Sequence, residues 1–197
     1  SHRGIDYGSL DLFEFCKTLS DFSKSNTVSR LLIELNRSKH HPKLFSEFSA
    51  SLTTENKSKL ISELYDPYRD AIEEEILQLI KKGEEVVHLS FHSFTPILNG
   101  EIRNTDIGIL YDPSRNSEKL ISKQLKQNLM AELPDFRIRY NYPYLGTADG
   151  FTTYLRKKFP QNYTGIELEI NQKFIEEEKV FPIKLKSAIF NSLNKLK

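Results

Sequence analysis

Apolar residues recur along this chain in two alternating periods, and the alternation predicts the architecture. Leu10, Leu12, Phe13, Cys16 and Leu19 follow helical spacing and predict a helix over Leu10–Leu19. Thr27–Leu35 is mostly apolar and rich in branched residues, so it reads as a strand. After a long polar connection, Lys57–Leu64 reads as helical and Pro67 interrupts it. Tyr68–Lys82 forms a second helix through Ala71, Ile72, Ile76, Leu77 and Ile80, and Gly83 suits its C-terminal stop. Next come a strand over Glu85–His92 and another over Asp106–Tyr111, ended by Asp112-Pro113. A helix over Ser117–Leu133 stops at Pro134, and Phe136–Tyr140 is a short strand. Asp149–Phe159 is a helix closed by Pro160, Tyr163–Ile170 is a strand, and Pro182–Leu196 is a final amphipathic helix.

Strands alternating with helices predict an α/β sandwich around a central mixed, largely parallel sheet. No composition break or internal repeat divides the chain, so residues 1–197 are expected to form one domain with a substantial core. No Gly-x-Gly-x-x-Gly or P-loop pattern follows any strand, which removes the main support for nucleotide binding.

Charge narrows the partners. Twenty-eight Lys plus Arg face 27 Asp plus Glu, a net charge of +1 that gives no pull toward nucleic acid or an anionic membrane. No apolar run approaches the length of a membrane span. A single cysteine, Cys16, excludes an intrachain disulfide and a Cys-based zinc knot, and its place in the first helix reads as core. The N-terminus has no signal-peptide pattern, and with one cysteine the expectation is a cytoplasmic protein acting on a small molecule.

Candidate chemistry clusters at element ends. The strand Glu85–His92 runs into His92, Ser93 and Thr95-Pro96, and ligands of open α/β sheets bind beyond the carboxyl ends of strands. His92 there suits a metal ligand or a proton carrier, or else a hydrogen bond to loop backbone. Ahead of the first helix, His2 and Asp6 are spaced to meet on one metal, although Asp6 or Ser9 equally suits a helix cap. Arg30 lies within an apolar stretch and requires an anionic or carbonyl partner, either Glu34 or a ligand. Asn36 and Arg37 pair an amide with a guanidinium, a combination suited to a carboxylate. Glu167 and Glu169 alternate with apolar residues, so both point to one face of a strand, where they serve as a base or lie solvated at an edge.

Together the segments HRGIDYGS, SRLLIELNRS, HLSFHSFTPILNGEIRNTDIGILYDPSR, NYPYLGTADGFTTYLRKKFP and YTGIELEINQ resemble the N-formylglutamate amidohydrolase family. They occur in the family's order from residue 2 to residue 172, and SFHSFTP with IGILYDPSR is the most specific part. The resemblance implies a three-layer phosphorylase/hydrolase-like fold shared with zinc carboxypeptidases and aspartoacylases. The sequence as given lacks the strand and Glu-His motif that the family carries upstream of His2. The resemblance implies a Zn2+ cofactor held by His2, Asp6 and His92, with Arg30 polarising the scissile carbonyl. Glu169 would be the base, with Glu167 the alternative, and Asn36 and Arg37 would hold a substrate carboxylate. Arg103, Asn141 and Tyr144 complete the expected substrate contacts. The implied reaction is hydrolysis of a linear amide in an N-acyl amino acid or short peptide. A zinc carboxypeptidase or peptidoglycan-type amidase and a non-catalytic carboxylate-binding module are the alternatives on the same scaffold.

Overall fold

A computed structural model describes residues 4–196 of the chain. The α/β class expected from the sequence is the class observed, with a mixed, mostly parallel sheet of four strands. In chain order the elements are α1 (Ser9–Cys16), α2 (Thr54–Leu60), α3 (Asp66–Lys81), β1 (Val86–Phe94), β2 (Ile97–Leu98), β3 (Glu101–Ile102) and β4 (Ile107–Leu110). They continue with α4 (Asn116–Glu132), β5 (Ile138–Tyr140), α5 (Phe151–Lys158), β6 (Tyr163–Asn171) and α6 (Ile183–Asn194). The main sheet has the order β1-β6-β4-β5. Strand β4 runs parallel to β5 and antiparallel to β6.

The chain forms two compact units. The first contains Lys24–Val86 and Asp149–Tyr163 together with the residues up to Ile5. Within it, Ile72 and Ile76 of α3 and Phe151 and Leu155 of α5 pack with Val86 and Tyr163, the first residues of β1 and β6. A smaller core joins Ile33, Leu44 and Tyr65.

This unit also holds a departure from expectation: Thr27–Leu35 is a series of turns and not a strand. Its polar side chains satisfy nearby backbone groups and displace a ladder. Asn26 Oδ1 accepts from Val28 N (2.7 Å), and Ser29 Oγ accepts from Leu31 N (3.2 Å). Glu34 Oε1 accepts from Asn36 N at 3.2 Å. Pro67 also fails to break its helix: α2 passes through a π-helical turn at Ile61–Tyr65 into α3, where the proline sits in the first turn.

The second unit spans Asp6–Ser23, Val87–Ala148 and Thr164–Lys197. Its core lies on one face of the sheet. Ile107 and Ile109 of β4 and Ile166, Leu168 and Ile170 of β6 pack with Leu12 and Cys16 of α1, Leu125 and Leu129 of α4, and Leu185 and Ile189 of α6. Burial pushes the Cys16 thiol up to about 12, which fits an inert core residue. Strand alternation sends Gly108, Leu110, Glu167 and Glu169 to the opposite face, with Gly108 opposite Glu169 and Leu110 opposite Glu167. Beyond β1, strands β2 and β3 form a hairpin whose turn, Asn99-Gly100, has φ of 52° and 84°. Asn-Gly is the residue pair such a turn favours.

Candidate active site

The site lies in the second unit, and the sheet builds it. Strand β6 runs between β1 and β4, so the acids on its polar face are interior to the sheet. Glu167 is 8% exposed and Glu169 is 6% exposed. His92 leaves β1 beside them, with Nε2 3.9 Å from Glu167 Oε2. On the other side of the ring, His92 Nδ1 meets Asp6 Oδ2 at 2.8 Å.

Local packing aims Asp6 at the histidine. Gly8, at φ 79°, begins α1, and a side chain there would strike the Phe181 ring at 2.6 Å. Ser93 Oγ donates to Tyr7 O at 2.7 Å and itself accepts from Gln172 Nε2 at 2.9 Å. The chain before α1 is thereby tied to β1, and Asp6 faces His92 instead of capping the helix.

The electrostatics follow from three acids around one imidazole. Burial lowers the His92 pKa, but the hydrogen bond to Asp6 and the charges of Asp6, Glu169 and Glu167 outweigh it and hold the ring up at about 9. At neutral pH the ring is then an imidazolium donating to Asp6.

A metal is a natural substitute for that proton. Nitrogen and carboxylate oxygen are zinc's own donor types, and two ligands on a tetrahedral ion stand roughly 3.3–3.6 Å apart. Nδ1 and Oδ2 at 2.8 Å need to open by less than about 1 Å to reach that spacing. The donors therefore fit zinc as two members of a site. His2, the third expected ligand, lies outside the described residues. Among the described residues no group of three His, Cys, Asp or Glu side chains is arranged to hold a metal.

The other expected residues fall in separate surroundings. In the first unit Arg30 Nε pairs with Glu34 Oε2 at 2.5 Å. Asn36 Oδ1 accepts from Phe151 N at 2.7 Å and so caps the start of α5, while Arg37 Nη1 donates to Asp149 O at 2.5 Å. In the second unit Asn141 Oδ1 accepts from Tyr111 N (3.0 Å) and Gly146 N (3.1 Å). That oxygen is committed to holding its loop. Arg103 Nη1 donates to Tyr144 Oη at 3.2 Å.

Two features at the site were not anticipated. A Cβ on Gly108 would lie 2.0 Å from Tyr142 O and 3.3 Å from Glu169 Cβ, so the glycine lets the chain after β5 pass close over β4 beside Glu169. Asn171, on the same face as Glu169, donates to Thr105 O at 2.7 Å and to Arg103 O at 3.1 Å. A lone glycine inside an apolar strand is the signal for the first.

An α/β scaffold with a histidine set among three carboxylates on a buried sheet face has the makings of a hydrolase. The family model for N-formylglutamate amidohydrolase matches residues 1–176, and the chain belongs to that family. Among solved structures, the gene product Atu2144 from Agrobacterium tumefaciens has a TM-score of 0.73 at 24% identity, covering 100% of this chain and 80% of that one. The N-formylglutamate amidohydrolase from Ralstonia eutropha JMP134 has a TM-score of 0.66 at 17% identity, covering 95% of this chain and 78% of that one. At these identities the likeness is one of fold. No curated protein matches.

Proposed function

We propose that this protein is a zinc-dependent amidohydrolase that cleaves the linear amide of an N-acyl amino acid related to N-formylglutamate. The observation that carries the reading is the cluster of Asp6, His92, Glu167 and Glu169 on one face of the sheet, in a chain of this family. Asp6 and His92 would hold the metal, with His2 as the third ligand. A bound zinc supplies Lewis acidity, polarising the amide carbonyl and acidifying water at neutral pH.

The chain's own residues would then move the proton. Glu169 takes it from the attacking water and returns it to the leaving amine nitrogen, which departs neutral. Its place on the buried face of β6, opposite Gly108, keeps it out of bulk solvent and favours this role. Glu167, whose Oε2 lies 3.9 Å from His92 Nε2, would help to orient the ring.

The test is a hydrolysis screen of N-formyl, N-acetyl and N-succinyl amino acids with the purified protein, with and without zinc. Expected are turnover of formylated acidic amino acids, loss on chelation and recovery with zinc. A protein that binds zinc stoichiometrically yet cleaves none of these compounds is not this enzyme.

A further inference from the structure

Arg69, on α3 of the first unit, is a cation only 4% exposed. Its guanidinium lies 4.0 Å from the centre of the Phe151 ring, 4.7 Å from that of Tyr154 and 4.9 Å from that of Tyr65. Glu73, one turn along α3, is engaged by Lys158 and, at 3.4 Å, by Tyr154 Oη. Among the described residues, the side-chain hydrogen bonds of Arg69 go to carbonyl oxygens: Nη1 donates to Leu35 O at 3.1 Å and to Arg37 O at 3.3 Å. Packing alone does not call for a charge here, because apolar side chains of similar volume often stabilise a core as well as a buried ion does.

The two carbonyls stand on either side of the Asn36–Arg37 pair. Tyr65 Oη donates to the second of them, Arg37 O, at 2.6 Å, so the backbone from Leu35 to Arg37 is held at both ends. From that backbone the loop reaches α5. Asn36 Oδ1 accepts from Phe151 N at 2.7 Å, Arg37 Nη1 donates to Asp149 O at 2.5 Å, and Ser38 N donates to Asp149 Oδ2 at 3.1 Å. The Arg69 guanidinium thus packs on the very residue, Phe151, whose amide Asn36 binds. Arg37 spends one donor on Asp149, and its fork keeps others for a ligand. A loop already fixed loses less freedom when that ligand binds. Only a flat guanidinium can lie among three rings and still donate in its own plane.

We infer that Arg69 is the positioning residue of the Asn36–Arg37 pair: it locks the backbone on either side of the pair, so that Arg37 meets a substrate carboxylate from a fixed direction. The inference deepens the amidohydrolase reading and rests on it for the carboxylate, but not for the lock itself. Arg69 touches no substrate and acts through Arg37.

The experiment joins hydrogen exchange to a double-mutant cycle. Amide exchange is followed at Ser38 and Phe151, whose N–H groups report the hold on the loop. It is taken relative to Ile76, in the core of the same unit, which reports opening of the unit as a whole. In parallel, kcat/KM of the zinc-supplied protein is measured on an N-formyl amino acid and on its carboxamide analogue, and their ratio gives the contribution of the carboxylate. Arg69→Met should speed relative exchange at both amides at least about tenfold and lower the kinetic ratio about tenfold, the scale of one charged hydrogen bond. Arg69→Lys should recover part of both. On an Arg37→Ala background, Arg69→Met should lower the ratio no further, whereas a merely structural role gives additive losses. Unchanged relative exchange overturns the assignment, as do equal losses on both substrates or additive losses in the cycle. If Arg37→Ala alone leaves the ratio at its wild-type value, the carboxylate reading falls; if no formyl compound is cleaved, the hydrolase reading falls. In either case relative exchange alone decides whether Arg69 fixes the loop. Should Arg69→Met fail to fold, Arg69→Lys takes its place in both measurements, and wild-type values there overturn the assignment.

Discussion

His92→Asn in the metal-free protein tests the electrostatic account of the site. The folded ring titrates at about 9 and the unfolded ring at 6.5. At roughly 1.4 kcal/mol per tenfold change in proton affinity, that difference is about 3 kcal/mol. One fifth of the side chain remains exposed, so solvent screening brings the figure to about 2–3 kcal/mol. The sign follows from the direction of the shift. The folded state holds the proton more tightly, so the stabilisation is complete below the unfolded value of 6.5 and is lost as pH rises through about 9. Urea unfolding of wild type and variant from about pH 6 to about pH 10 isolates the His92 contribution, because every other titrating group is common to both. Wild type should lose about 2–3 kcal/mol relative to the variant across that window. Parallel curves would refute the reasoning and imply that Asp6 is not the partner of a charged ring. The same proton must leave before His92 can bind a metal, so apparent zinc affinity should rise up to about tenfold per pH unit below about pH 9.

Three further outcomes are expected. Glu169→Gln should fold and bind zinc but lower turnover at least about a hundredfold, measured by initial rates; unchanged turnover moves the base to Glu167. Arg37→Ala should lower kcat/KM about ten- to two-hundredfold, and should barely distinguish a substrate from its carboxamide analogue if Arg37 holds a substrate carboxylate. An Arg37→Ala variant that discriminates as strongly as wild type leaves Arg37 only its structural bond to Asp149. Gly108→Ala must displace the Tyr142 backbone, so it should cost at least about 1–3 kcal/mol in thermal unfolding, and a wild-type melting temperature would contradict the close approach.

Most of the architecture was legible because most elements carry a single period. The helices α1, α3, α4, α5 and α6 follow helical spacing, and β4, β5 and β6 lie within their expected strands to a residue or two at each end. Thr27–Leu35 misleads because its apolar content is strand-like while Asn26, Ser29 and Glu34 hold its backbone in turns. Those bonds depend on local polar residues that hydrophobic periodicity ignores. The β2–β3 hairpin is too short to carry a period, and only its Asn99-Gly100 turn announces it. At the site, alternation placed Glu167 and Glu169 on one face correctly, since strand geometry alone requires it. Whether Asp6 capped α1 or faced another group was undecidable from spacing, because its partner, His92, lies 86 residues away.

The position of these acids also bears on why the protein carries them. Two buried carboxylates and an aspartate around one imidazole bring like charges together in a protein interior, which costs stability. An imidazolium between Asp6 and Glu167 offsets part of that cost with the residues already present. The glycine at position 108 belongs to the same arrangement: a side chain there would meet the Tyr142 carbonyl and keep that chain from passing close over β4 beside Glu169. Stability lost on this face is recovered on the other, where Ile107 and Ile109 of β4 and Ile166, Leu168 and Ile170 of β6 pack against α1, α4 and α6.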